Sequence, residues 1–140
     1  MKALQATNHF ECATCPAVIR QGENCYLVED KLCCAACHAR WPALTPILGG
    51  YCVRALDAGR CLDVRRMFYN WQLVLTERDT ARPHNGYEDI AAAWCYYGHG
   101  TAEDGTPRTM GTALTAAVAA AAVWDGTGTP PGANKRAGAR

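Results

Sequence analysis

Four of the nine cysteines form two closely spaced pairs in the first third of the chain. Cys12 and Cys15 make one C-x2-C pair, and Cys34 and Cys37 make a second after 18 intervening residues. A C-x2-C turn points two thiolates at one ion, and two such pairs supply the four sulfur ligands of a structural zinc site. The spacing therefore predicts one Zn²⁺ held by these four cysteines.

The second pair has an alternative partner, because "KLCCAACHARW" places Cys33 directly before Cys34. A wider C-x3-C spacing selects Cys33 in place of Cys34, although C-x2-C mirrors the first pair. His9 and His38 lie beside the two pairs, and we interpret them as surface or supporting residues rather than ligands.

A weaker second metal site is a further hypothesis. Cys95 and His99 are four residues apart and would share one face of a helix. With Cys52 and Cys61 they could bind a second ion. The competing interpretation is three small buried cysteines, and Gly98 favours it because glycine is typical of a helix end before His99.

The residues between the pairs must position the ligands. Apolar residues on both sides of a turn at Gly22 predict a hairpin, and "CCAACHARW" lacks glycine and proline and predicts a short helix. The stretch "FECATCPAVIRQGENCYLVEDKLCCAACHARW" resembles the zinc-binding half of LIM domains and TRASH-type fingers. Ile19, Gly22, the closing pair and Trp41 carry the resemblance. It implies a treble-clef finger with zinc ligation, closed by Cys34 in the LIM pattern or Cys33 in the TRASH pattern.

Helical spacing is the main pattern after the finger. The first predicted helix has an apolar stripe of Val64, Met67, Phe68, Trp71 and Leu75. The second has Ile90, Ala93, Trp94 and Tyr97 on one face. The third begins near Thr106 and Pro107 and ends near Trp124.

These elements predict an α+β protein in which a treble-clef-like hairpin and short helix precede a three-helix unit. The predicted segments are a zinc-binding module at 1–41, a connector at 42–52, the helical unit at 53–126 and a flexible basic tail at 127–140. Proline and the Gly49-Gly50 pair mark the connector, and the tail lacks apolar residues that would anchor it.

Composition and motifs argue against an enzyme. The formal net charge is +1, and the chain has no nucleophile elbow, phosphate-binding loop or HExxH motif. Four thiolates also leave a zinc ion no open position. We therefore expect a non-enzymatic regulator or adaptor that binds a partner protein. The candidate contact residues are Arg54, Arg60, Arg65, Arg66, Trp41 and Tyr69.

Two alternative functions come from the same residues. Nucleic-acid binding would use the arginines between Arg54 and Arg82 together with the basic tail, although four acids lie in the same window. Metal handling is suggested by the TRASH-like spacing alone.

The expected location is a reducing cytoplasm. No signal peptide or membrane span is evident in the sequence, and clustered cysteines in a reducing compartment favour metal ligation. A short chain rich in alanine and arginine suits a phage or plasmid gene that acts on a host machine, in which case the location is the host cytoplasm.

Overall fold

Two units make up the chain, Met1–Trp41 and Pro42–Arg140. The computed structural model describes residues 3–13, 15, 17–28, 31–39, 43–57 and 59–137. Trp41, a predicted partner contact, lies outside these residues.

The first unit consists of short antiparallel strands and one helical turn. In chain order its elements are β1 (Leu4–Gln5), β2 (Phe10–Glu11), β3 (Val18–Ile19), β4 (Asn24–Val28), β5 (Lys31–Cys34) and α1 (Ala35–His38). Strands β2 and β3 pair with each other, and β4 lies between β1 and β5. The residues around Gly22 therefore connect two small sheets instead of closing a β3–β4 hairpin, and Gly22 has a φ of 87°.

The second unit is an antiparallel meander with one helix. Its elements are β6 (Thr45–Ile47), β7 (Gly50–Asp57), β8 (Arg60–Arg66), β9 (Asn70–Glu77), β10 (Asp89–Tyr97), α2 (Met110–Val123) and β11 (Lys135–Arg136). The strand order is β11-β10-β9-β8-β7-β6, and every neighbouring pair is antiparallel. The helix packs against β7 to β10.

The predicted three-helix unit is wrong. Residues 53–126 contain most of β7, then β8 to β10, and one long helix. The first predicted helix spans β8, a turn and β9, and the second corresponds to β10. The apolar residues of β8 and β9 lie at helical intervals along the sequence only because a turn separates the two strands. Short apolar runs fit a buried strand and a buried helix equally well. The remaining helix begins at Met110, and its N-cap is Thr109 rather than Thr106.

The segments predicted as connector and tail also contribute strands. Strand β6 and the start of β7 lie within 42–52, where Thr45 pairs with Cys52. Lys135 and Arg136 form β11 and pair with Cys95 and Trp94. Part of the predicted flexible tail therefore belongs to the sheet.

Both faces of the central strands are buried. Leu62 pairs with Leu75, and Val64 with Leu73, so these residues share the face on which α2 lies. The other face carries Cys61, Asp63, Val74 and Thr76, and all four residues are fully buried. Within the described part of the chain, no helix combines the length and apolar character needed to cross a membrane.

Candidate metal centre

Four elements of the first unit position the four paired cysteines. Cys12 directly follows β2, and Cys15 lies in the tight turn before β3. Cys34 ends β5 and is the N-cap residue of α1, and Cys37 lies within that helix. The two-strand knuckle therefore supplies one pair, and the junction of strand and helix supplies the other.

The sulfur atoms are spaced as the ligands of one ion. All four lie within 4.8 Å of one another, with Sγ–Sγ distances of 4.0 Å between Cys12 and Cys37 and 3.7 Å between Cys15 and Cys34. Tetrahedral Zn–S bonds of about 2.3 Å place sulfurs about 3.8 Å apart. This cluster is thus close enough to bind a metal, as a zinc-finger-like segment requires.

Backbone amides already point at two of the sulfurs. The Cys34 N–H donates to Cys12 Sγ at 3.3 Å, and the Ala17 N–H donates to Cys15 Sγ at 3.5 Å. Such donors stabilise thiolate charge, which suits a cation site.

The remaining surroundings of Cys15 favour its thiol form in the absence of a cation. The Ala17 amide lowers the pKa of Cys15, but desolvation and hydrogen bonds with Cys37, Cys12 and Cys34 raise it to about 12. A divalent ion reverses this balance, because it replaces shared protons with a central positive charge. Metal binding at this cluster would therefore release protons.

The structure places Cys34, and not Cys33, in the cluster. Neighbouring strand residues point to opposite sides, so only one of the two can face the ion. Cys33 is fully buried beside Tyr26 of β4, and its thiol lies 3.4 Å from the Cys34 carbonyl oxygen.

Neither nearby histidine belongs to the cluster. The His38 ring stacks on Tyr26, with centroids 3.7 Å apart and planes 4° from parallel. Its pKa is lowered, chiefly by burial. His9 is exposed.

The hypothetical second site is not assembled. Cys52, Cys61 and Cys95 lie on β7, β8 and β10, and the exposed His99 follows β10. Three strand spacings of about 4.8 Å separate β7 from β10 by roughly 14 Å. Among the described residues, only the four-cysteine group gathers three or more metal-ligating side chains.

The arginines proposed as partner contacts are dispersed, and most of them are engaged. Arg54 donates to the carbonyl oxygens of Ala121 and Trp124 in α2. Arg60 pairs with Asp57 at 2.7 Å, and Arg65 is turned inward with 17% of its side chain exposed. Arg66 ends β8 with its residue exposed, and Tyr69 is 62% exposed at the β8–β9 turn.

A buried charge network lies on the sheet face opposite α2, and sequence reasoning missed it. Asp63 accepts from Arg78 at 2.7 Å and from the Thr76 hydroxyl at 3.0 Å. The Arg65 guanidinium lies 3.4 Å from the His84 ring, and His84 lies 3.3 Å from Glu88. No local spacing indicates this network, because its members meet only through strand register and the loop after β9.

Comparison with protein families, curated proteins and solved structures finds no match to this chain. The zinc-finger-like segment is therefore defined by its own four cysteines, and membership of the LIM or TRASH families is not shown.

Proposed function

We propose that Cys12, Cys15, Cys34 and Cys37 bind one structural Zn²⁺ as a treble-clef finger in a non-enzymatic regulator or adaptor that binds a partner protein. The spacing of the four sulfurs carries the metal part of this proposal, because distances of 3.7 and 4.0 Å fit tetrahedral zinc. Four thiolates complete the coordination, so the ion has no open position for substrate or water.

Exposed aromatic side chains support the partner-binding part. Phe68 and Tyr69 at the β8–β9 turn are 86% and 62% exposed, and Met67 beside them is 46% exposed. Aromatic residues of this kind are enriched among the side chains that dominate binding energy at protein interfaces. The arginines mostly form internal contacts, which favours a protein over a nucleic acid as the partner.

Paired cysteine variants test the metal assignment. Native mass spectrometry of the zinc-loaded protein is expected to show one ion per chain. Cys34→Ala should lose the ion, and Cys33→Ala should keep it because Cys33 lies outside the cluster. Retention of full zinc content by Cys34→Ala would contradict the assignment, as would a folded, metal-free Cys12→Ser variant.

The partner-binding part needs its own experiment. The zinc-loaded protein, with and without nuclease treatment, would be used for affinity capture beside a Phe68→Ser, Tyr69→Ser double variant. We expect capture of a protein that resists nuclease and is lost with the double variant. Nuclease-sensitive capture, or equal capture by both forms, would count against the proposal.

A further inference from the structure

A cleft of about 330 Å³ opens beside the first turns of α2 in the second unit. Its walls come from the loop that follows β10, from α2 and from the segment before β11. Small residues give it depth, and these are Ala102, Ala113, Ala116 and Gly132. The volume lies at the lower end of the range of small-ligand sites and suits one large side chain.

The Arg108 guanidinium at this cleft has hydrogen-bond donors left unused by the described residues. The Arg108 guanidinium carbon lies 5.6 Å from the centroid of the Tyr97 ring. Within the described part of the chain, the Arg108 side chain forms no ion pair or hydrogen bond. The other polar groups of the wall are engaged, since Asp104 accepts from the Thr106 N–H at 2.9 Å and Asn134 accepts from the Tyr97 N–H at 2.7 Å.

A row of rings leads from the cleft to the exposed β8–β9 turn. Tyr97 lies 5.4 Å from His99, His99 lies 6.1 Å from Tyr69, and Tyr69 lies 4.7 Å from Phe68, all between ring centroids. The last two residues are among the most exposed apolar side chains of the unit. The cleft and the row of rings therefore meet at Tyr97, over which the Arg108 guanidinium lies.

We infer that this cleft binds a partner-protein segment that carries an apolar or aromatic side chain beside a carboxylate. The side chain fills the space above the small residues, and the carboxylate pairs with Arg108, whose planar fork suits that group. The partner's adjoining apolar surface covers Tyr69 and Phe68. This inference rests on the proposed partner-binding function and gives it a site and a ligand chemistry.

Nucleic acid fits the surface less well. A nucleic-acid backbone needs several phosphate contacts, and Arg108 is the one cation among the described residues that line the cleft. One arginine supplies little of the counterion release that drives phosphate-backbone binding. The neighbouring Phe68 and Tyr69 rings meet at 82° and offer no parallel stacking platform.

The zinc-loaded full chain can be tested with N-acetyl-L-phenylalanine and its uncharged amide as probes. Amide NMR shifts are expected at Ala102, Ala113 and Gly132, with the acid binding about tenfold more tightly than the amide. Arg108→Gln should weaken the acid to the level of the amide. Arg136→Gln is the matched control and should leave binding unchanged, because Arg136 also lies over a ring, 5.9 Å from that of Trp94, but does not line the cleft.

A second variant fills the cleft without disturbing the core. Ala116 is exposed on α2, so Ala116→Leu should fold normally and abolish the shifts from both probes. Equal affinity of acid and amide would overturn the inference, as would binding that survives both variants or shifts produced by a single-stranded oligonucleotide in place of the acid. Zinc content, measured on the same samples, separates failure of the cleft from failure of the metal site.

Discussion

Asp63 is an anion held entirely inside the second unit. One carboxylate oxygen accepts a hydrogen bond from the Arg78 guanidinium, and the other accepts one from the Thr76 hydroxyl. The Arg65 Nη2 lies 3.7 Å from the second oxygen. A buried charge is tolerated when it is paired and hydrogen-bonded, and removal of one partner leaves the other uncompensated. Only 7% of the Arg78 side chain is exposed, so solvent could not replace the Asp63 carboxylate as its partner.

We therefore expect Asp63→Asn to lower the free energy of unfolding by about 3–5 kcal/mol in urea titrations. The variant keeps the side-chain size but leaves the Arg78 cation without its anion. Asp57→Asn is the control, because the Asp57–Arg60 pair is largely exposed and its loss should leave the midpoint unchanged. An Asp63→Asn protein as stable as the parent would show that the network contributes no net stability.

Two thiols on the same face of the sheet as Asp63 should make the stability of the protein depend on pH. Burial first, and then the charge of Asp63, raises the pKa of Cys52 to about 11, and burial raises the pKa of Cys61. A thiol with a raised folded-state pKa contributes its full stabilisation below the ordinary pKa and loses it as pH rises through the folded value. The urea concentration at the unfolding midpoint of the zinc-loaded protein should therefore decrease as the pH rises from about 9 to about 11.

The control for this pH profile is Cys52→Ala. Burial also raises the pKa of Tyr96, but that phenol is present in both proteins and cancels in the comparison. The alanine variant should therefore lose less stability across the same pH interval. Superimposable profiles would rule out Cys52 as the titrating group.

At the scale of the element, α2 depends on a residue from the sheet. The last carbonyl groups of a helix lack partners within it. Arg54 of β7 supplies donors for two of them, with its Nε 2.7 Å from the Ala121 oxygen and its Nη2 bonded to the Trp124 oxygen. A positive charge at this end also suits the helix dipole.

Arg54→Met should lower the free energy of unfolding by about 1.5–3 kcal/mol, the usual contribution of hydrogen bonds to a charged group. Hydrogen exchange at the end of α2 should rise with it, and Arg54→Lys should recover part of the loss. Arg60→Met provides a matched control, because the Arg60 side chain is 41% exposed and its ion pair is with Asp57. Unchanged exchange at residues 120–124 would argue against this role for Arg54.

The elements also explain what could be predicted from the sequence. The metal cluster was accessible because each C-x2-C pair is a local motif, and the separation of the pairs is typical of zinc fingers. The sheet could not be predicted in the same way, because Val64, Trp71 and Leu75 match helical spacing although they lie on two strands joined by a turn. The run of Leu73, Val74 and Leu75 is typical of a strand buried on both faces, but periodicity alone does not separate such a run from a buried helix segment. The pairing of Asp63 with Arg78 depends on register that no local pattern contains.

At the scale of the whole molecule, the two units differ in what can stabilise them. The first unit spans Met1–Trp41, and three of its strands are only two residues long. Domains of about 40 residues usually require a metal or disulfides. The second unit contains a core of its own, with Trp71, Leu73, Tyr96 and Leu114 almost fully buried. Loss of metal should therefore affect one unit and spare the other.

Chelation of the full chain tests this difference directly. With EDTA at neutral pH, hydrogen exchange should become rapid across residues 3–39, because zinc binding energy is folding energy in such a finger. Strands β8 and β9 should keep their protection. Added Zn²⁺ should restore the first unit, and Mg²⁺ should not, because it prefers oxygen ligands in octahedral geometry. Slow exchange in the metal-free finger would contradict a structural ion, and loss of protection in both units at one chelator concentration would contradict their separate stabilisation.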